Sequence, residues 1–124
     1  MDQFQSTQPI YLQIMALIKR QIATSKLLSG VQLGSVRDLA MTYQVNPNTV
    51  QRALSELERE GLVKSDRTIG RFVTDDTALI SKLHRELFDQ ATSAYVAEVN
   101  ELNITIEDVV NAVKEKMMKG ETHD

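Results

Sequence analysis

The chain has 124 residues, a net charge of −3, and neither cysteine nor tryptophan. Its apolar and charged shares, 42% and 25%, are those of an ordinary globular protein, enough for one compact domain or a small domain with an appended element. No apolar run approaches the roughly 18 residues of a membrane span, and the absence of cysteine excludes a disulfide scaffold, a thiolate nucleophile and a cysteine-based metal site.

The start of the chain is polar and lacks a basic head, an apolar centre and a small-residue cleavage site, so no secretory leader is expected and the expected location is cytoplasmic. Pro9 opens the first periodic segment. Ile10, Ile14, Leu17, Ile18 and Ile22 recur at the helical period and predict a helix over about 9–26. Gly30 punctuates, and Val31-Gln32-Leu33 reads as a short strand. Ser35-Val36-Arg37-Asp38 has the form of a capping box and predicts a short helix over 36–42. Asn46-Pro47 then pairs an N-cap asparagine with a proline at the first helical position. Val50, Leu54 and Leu57 form that helix's inner stripe, and Gly61 stops it. Leu62-Val63-Lys64 and Arg71-Phe72-Val73, around a turn at 66–70, predict a two-stranded hairpin. Helix, short strand, two short helices and a hairpin in this order describe a winged helix-turn-helix.

A long stripe follows at Leu79, Ile80, Leu83, Leu87, Ala91, Ala94, Tyr95 and Val99, predicting one helix over 78–100. Thr105-Ile106-Glu107-Asp108 is a second capping box, and Ile106, Val109, Val110, Val113 and Met117 stripe a final helix that Gly120 is expected to end. The expected fold is therefore mostly α with a small β-hairpin: a winged helix-turn-helix over 1–75 and a two-helix element over 76–124. Charge divides at the same place. Residues 1–75 carry nine basic and seven acidic side chains, a net of +2; residues 76–124 carry five and ten, a net of −5. A polyanion would meet the first part and be repelled by the second.

Gly30-Val31-Gln32-Leu33-Gly34-Ser35-Val36-Arg37-Asp38-Leu39-Ala40, Asn46-Pro47-Asn48-Thr49-Val50-Gln51-Arg52-Ala53-Leu54, Leu57-Glu58-Arg59-Glu60-Gly61-Leu62-Val63 and Gly70-Arg71-Phe72-Val73 form one ordered pattern, with Pro9-Ile10-Tyr11-Leu12-Gln13-Ile14 upstream. This pattern resembles the winged-helix domain of the GntR family of bacterial transcription regulators. The wording from Val45 to Ala53 and the short tail resemble the YtrA subfamily within it. The resemblance implies sequence-specific DNA binding, repression by occupancy of a promoter, and a C-terminal helix pair that dimerises two chains on a pseudo-palindromic operator. It also implies control of operons for transport systems of the ATP-binding-cassette type. Ser29 and Gly34 replace common prolines of the family, Thr68 a wing glycine and Arg71 the usual threonine. Pro47 and Gln51 stand where larger relatives often carry arginine, so the bases read should differ from theirs.

The inner stripe of the second paired helix leaves Asn48, Thr49, Gln51, Arg52 and Ser55 on outer or flanking positions. Asn and Gln suit bidentate contacts to adenine and Arg suits guanine, while Thr49 and Ser55 are short donors for phosphate or base edges. Arg37 is expected on backbone phosphate, as its counterpart is in the family, with Ser35 as a cap beside it. Arg67, Gly70 and Arg71 bring cations and a closely approaching backbone to the wing. The run Glu56, Glu58, Arg59, Glu60 reads as a solvated face, with Lys64 a weaker candidate cation. His84 and His123 are too far apart in the chain to suggest a metal site, and no cofactor is expected. Phe4, Tyr11, Tyr43, Phe72, Phe88 and Tyr95 are too scattered for a base-stacking platform. No catalytic arrangement or phosphate-binding glycine loop is legible, so an enzyme is not expected.

The apolar stripe of 78–119 exceeds what a lone helix pair buries in itself, and a homodimer is expected. A small-molecule effector would have to sit at the dimer interface or between winged helix and tail, because two helices hardly enclose a pocket of ~300 Å³. The alternative is a winged-helix protein-interaction module. It would need an apolar recognition helix and would lack the salt-sensitive duplex binding that counterion release produces.

Overall fold

The computed structural model describes Phe4 and residues 7–122, in five helices and a two-stranded antiparallel sheet. In chain order these are α1 (Ile10–Ala23), α2 (Val36–Tyr43), α3 (Pro47–Arg59), β1 (Val63–Asp66), β2 (Gly70–Val73), α4 (Thr77–Glu101) and α5 (Ile106–Thr122). Two compact units divide the chain, Met1–Leu87 and Phe88–Asp124.

The core of the first unit is built by the stripes the sequence carries. Ile14, Ile18 and Ile22 of α1 meet Val50, Ala53, Leu54 and Leu57 of α3, and all are essentially inaccessible to solvent. Each of the isoleucine, leucine and valine side chains among them stabilises the fold by about 1.5–3 kcal/mol relative to exposure. Leu62, Val63 and Val73 close the core from the hairpin, and Leu83 joins from α4 with Leu79, Ile80 and Leu87 packed beside it. The first unit therefore continues past Asp75 into α4.

Caps set the element ends. Ser35 Oγ accepts from the Asp38 amide at 3.0 Å, and Asn46 Oδ1 accepts from the Asn48 amide at 2.7 Å, ahead of Pro47. Gln44, in the left-handed region at φ 57°, ends α2. The Asp76 side chain accepts from Leu79 N at 3.1 Å and starts α4 one residue earlier than the stripe suggested. Thr105 Oγ1 accepts from Asp108 N at 3.1 Å and starts α5.

Two helix ends differ from the sequence expectation by more than one residue. α1 stops at Ala23, not near residue 26, because Thr24 turns its hydroxyl and amide onto the Arg20 carbonyl and Ser25 adopts φ 63°. α5 runs through Gly120 to Thr122. A glycine terminates a helix by taking the left-handed C′ conformation; Gly120 does not take it, and merely lowers helix propensity by about 1 kcal/mol.

The hairpin pairs Val63 with Val73, Lys64 with Phe72, Ser65 with Arg71 and Asp66 with Gly70. Residues 31–33 add a short third edge. Val73 N donates to Val31 O at 2.9 Å and Leu33 N to Arg71 O at 2.8 Å, around an antiparallel bridge of Gln32 with Phe72. The wing is thus held on both strands and tied to the segment before α2.

Gly61 links α3 to the wing. Its φ of +81° lets Leu62 N donate back to Leu57 O at 3.1 Å, and an added Cβ would meet Leu79 Cδ2 at 3.4 Å. Gly61→Ala is expected to lower stability by about 1–2 kcal/mol, the ordinary cost of an L side chain in that region. Urea denaturation followed by circular dichroism measures it, and an unchanged midpoint would contradict this role.

Candidate nucleic-acid interface

The polar face of α3 follows from its buried face. With Val50, Ala53, Leu54 and Leu57 inward, positions 48, 51, 52, 55 and 59 share the opposite side, because residues three, four and seven apart stack along one helix face. Asn48, Gln51, Arg52 and Ser55 are exposed there. Gln51 Nε2 donates to Ser55 Oγ at 3.2 Å, so the amide already has a defined rotamer. Thr49 is half-buried at the flank. Arg59, which the sequence reading placed in a solvated run, extends this face by one further turn. The signal was present in the spacing, since 59 follows 52 by seven residues and 55 by four.

At α2, Ser35 acts as the cap, and Arg37 is exposed in the first turn. Arg37 brings a cation to the positive end of the helix dipole, beside the Asp38 carboxylate of the same turn, which offsets part of that charge.

The wing tip is fixed by a residue the sequence reading passed over. Asp66 Oδ1 accepts from the Thr68 amide at 2.7 Å, the Thr68 hydroxyl at 2.6 Å and the Ile69 amide at 3.3 Å. The Thr68 hydroxyl, followed by the two amides, holds the Asp66 carboxyl below the usual aspartate range. Thr68 thus locks the turn by its side chain. From the far side, Gln32 Nε2 donates to the Ile69 carbonyl. Gly70 follows at φ +92°, its missing Cβ 3.6 Å from Gln32 Nε2. Arg67 and Ile69 are exposed on the tip.

Arg71 is not a free wing cation. Its Nε donates to Glu58 Oε1 at 2.5 Å, with both side chains largely covered. Arg71, with help from a Ser65 hydrogen bond and against the effect of burial, holds the Glu58 carboxyl below the usual glutamate range. Two more acidic residues of that run are paired as well: Glu56 with Arg59 at 3.0 Å and Glu60 with Lys19 at 2.7 Å. The run is therefore a set of ties. Among the described residues no ion pair with a carboxylate is made by Arg20, Arg37, Arg52, Arg67 or Arg85, and of these Arg37, Arg52 and Arg67 belong to the helix-turn-helix and wing. Arg52 instead lies over the ring of Tyr11, 3.9 Å from its centroid.

His84 is exposed on α4 and His123 lies outside the described residues. No group of three His, Cys, Asp or Glu able to hold a metal gathers among the described residues. No helix there is long and apolar enough to cross a membrane.

A family profile described as "Bacterial regulatory proteins, gntR family" matches residues 10–73. The HTH-type transcriptional regulator YhcF of Bacillus subtilis is 38% identical over 113 residues, spanning 91% of this chain and 93% of that protein. The HTH-type transcriptional repressor YtrA of the same organism is 39% identical over 71 residues, spanning 57% of this chain and 55% of that protein. A solved GntR family transcriptional regulator from Listeria monocytogenes superposes with a TM-score of 0.83 at 36% identity, over 90% of this chain and 98% of that one.

The Glu58–Arg71 tie carries a pH signature. A carboxyl whose pKa is depressed on folding contributes stability that is complete above its unfolded pKa and is lost as pH falls through the folded one. Acidification below about pH 4.5 should therefore destabilise the native chain more steeply than Glu58→Gln. Urea midpoints measured for both proteins across that range test this, and parallel curves would contradict it. The Asp66 contribution is common to both proteins and cancels in the comparison.

Proposed function

The chain belongs to the GntR family of bacterial regulatory proteins, a family of DNA-binding transcription regulators, and on that premise we propose that it is a cytoplasmic homodimeric repressor binding a pseudo-palindromic operator. The observation that carries the reading is the exposed polar face of α3, with Asn48, Gln51, Arg52 and Ser55 set against a fully buried opposite face. In this proposal α3 enters the major groove. Asn48 and Gln51 address adenine edges and Arg52 a guanine edge. Arg37 and the capped start of α2 hold a backbone phosphate, Ser35 lying beside it. Thr49 and Ser55 contact phosphate or base edges from the flank and the face. Arg67 and the backbone at Gly70 approach the neighbouring minor groove or its phosphates. Arg71 supports the wing through Glu58 and reaches DNA only if that pair opens.

Residues 76–124 supply dimerisation in this reading, with 1–75 as the DNA-binding part. Support comes from the second unit taken alone. Phe88, Leu102, Ile106, Met117 and Met118 are each 65% exposed or more, an apolar surface that a lone helix pair leaves in water. A twofold pair doubles the DNA contacts and matches a symmetric operator. The likeness to YtrA supports repression, and control of a transport operon follows in this reading from the resemblance to that subfamily alone. A small-molecule effector would act by changing the separation of the two recognition helices.

Fluorescence anisotropy against a duplex enriched from a random pool tests the reading. Gln51→Ala and Arg52→Ala should each weaken binding about tenfold, within the roughly 1–3 kcal/mol of a bidentate base contact. Raising the salt concentration should weaken the native complex through counterion release. Salt-insensitive binding, or none, would favour a protein-docking module. Sedimentation equilibrium at micromolar concentration should give a dimer, and Val110→Asp with Val113→Asp should give a folded monomer with at least tenfold weaker duplex binding. A monomeric native chain would contradict the dimer.

A further inference from the structure

We propose that Tyr11, on α1 and outside the helix-turn-helix, is a positioning residue for DNA reading, its ring face holding the Arg52 guanidinium ordered without neutralising it. The inference rests on the assignment of α3 as the reading helix.

Three arginines of the first unit are restrained, and they are restrained differently. Arg59 and Arg71 meet carboxylates, Glu56 at 3.0 Å and Glu58 at 2.5 Å. A carboxylate occupies guanidinium N–H donors and cancels the charge that a phosphate or base edge would feel. Arg52 meets an aromatic face instead, its Cζ 3.9 Å from the Tyr11 ring centroid. At that distance the cation lies over the ring and is attracted by the ring's quadrupole. The five N–H donors of a guanidinium lie in its own plane, so a contact through the face leaves them available. The side chain is thereby ordered before DNA arrives, which lowers the entropy lost on binding, while its charge and donors are retained.

The ring is itself fixed. Tyr11 is half-buried and packs on the core in which Ile14 and Ile18 of the same helix are fully buried. Glu56, one turn beyond Arg52 on α3, is drawn to Arg59 at 3.0 Å, and Glu60, the C-cap of α3, is drawn to Lys19 at 2.7 Å. Neither carboxylate is paired with Arg52. α1 thus sets the orientation of a reading side chain 41 positions later in the chain.

A double-mutant cycle on the full chain tests this. The proteins are the native chain, Tyr11→Phe, Tyr11→Leu, Arg52→Ala and Tyr11→Leu/Arg52→Ala. The probe is a duplex enriched by the native chain from a random pool. Tyr11→Phe keeps the ring face and should bind within about twofold of native, whereas Tyr11→Leu should lose about 3- to 10-fold, the range of a partly exposed cation–π contact. In the Arg52→Ala background, Tyr11→Leu should cause no further loss. An equal loss in both backgrounds means a merely structural role and overturns the proposal, as does native-like binding by Tyr11→Leu. A measurement independent of how the Leu variant folds is the ring-current shift of the Arg52 δ protons in the free native chain; unshifted protons overturn the proposal. Failure of the pool to enrich any sequence overturns the DNA-reading assignment itself, and the role of Tyr11 with it.

Discussion

Val50, Ala53, Leu54 and Leu57 lie at the centre of the first unit, packed on Ile14, Ile18 and Ile22, and this burial fixes the rotation of α3 about its own axis. A helix has one face for the core and one for water. Once four apolar side chains are committed inward, Asn48, Gln51, Arg52 and Ser55 have no other place than the outer face. Rotating α3 to present different residues would expose several leucine-sized side chains, each at about 1.5–3 kcal/mol. Which polar residues α3 presents to solvent is therefore decided by packing, while Gln51 and Arg52 are further held by Ser55 and by the Tyr11 ring.

The wing depends on the same core through shorter links. Leu62, Val63 and Val73 anchor the hairpin at its base. Its tip has no core to rest on and is held by polar chemistry instead, through the Asp66 carboxylate on the near side and the Gln32 amide on the far side. Glu58 and Arg71 then tie the second strand to the end of α3. α3 and the wing are thus linked by an ion pair as well as by packing.

Electrostatics in the first unit is organised by pairing. Glu56, Glu58 and Glu60 crowd the end of α3, close to its exposed polar face, and each has a basic partner from a different part of the chain: Arg59 on the same helix, Arg71 on β2 and Lys19 on α1. These carboxylates are neutralised locally, which leaves the positive field of this region to the unpaired cations. Exposed ion pairs contribute little to stability; their consequence here is to shape where the positive charge stands.

The element order, the capping residues at Ser35, Asn46 and Thr105, the C′ glycine at 61, the hairpin and the family were legible in the sequence, because each rests on local chemistry or on a period that neighbouring residues reveal. The outer face of α3 was legible for the same reason, as the complement of its apolar stripe. What folding alone decided are the contacts between residues distant in the chain. Arg71 looked like a free wing cation until β2 brought it to Glu58; Tyr11 was one of six scattered aromatics until α1 laid its ring under Arg52; Gln32 was a strand residue until its amide reached the wing tip. No periodicity records such pairs, since the partners are joined by the packing of separate elements and share no local spacing. Gly120 shows the converse limit: a residue type that often ends helices ends one only when the backbone takes the left-handed turn, and residue type alone does not dictate that choice.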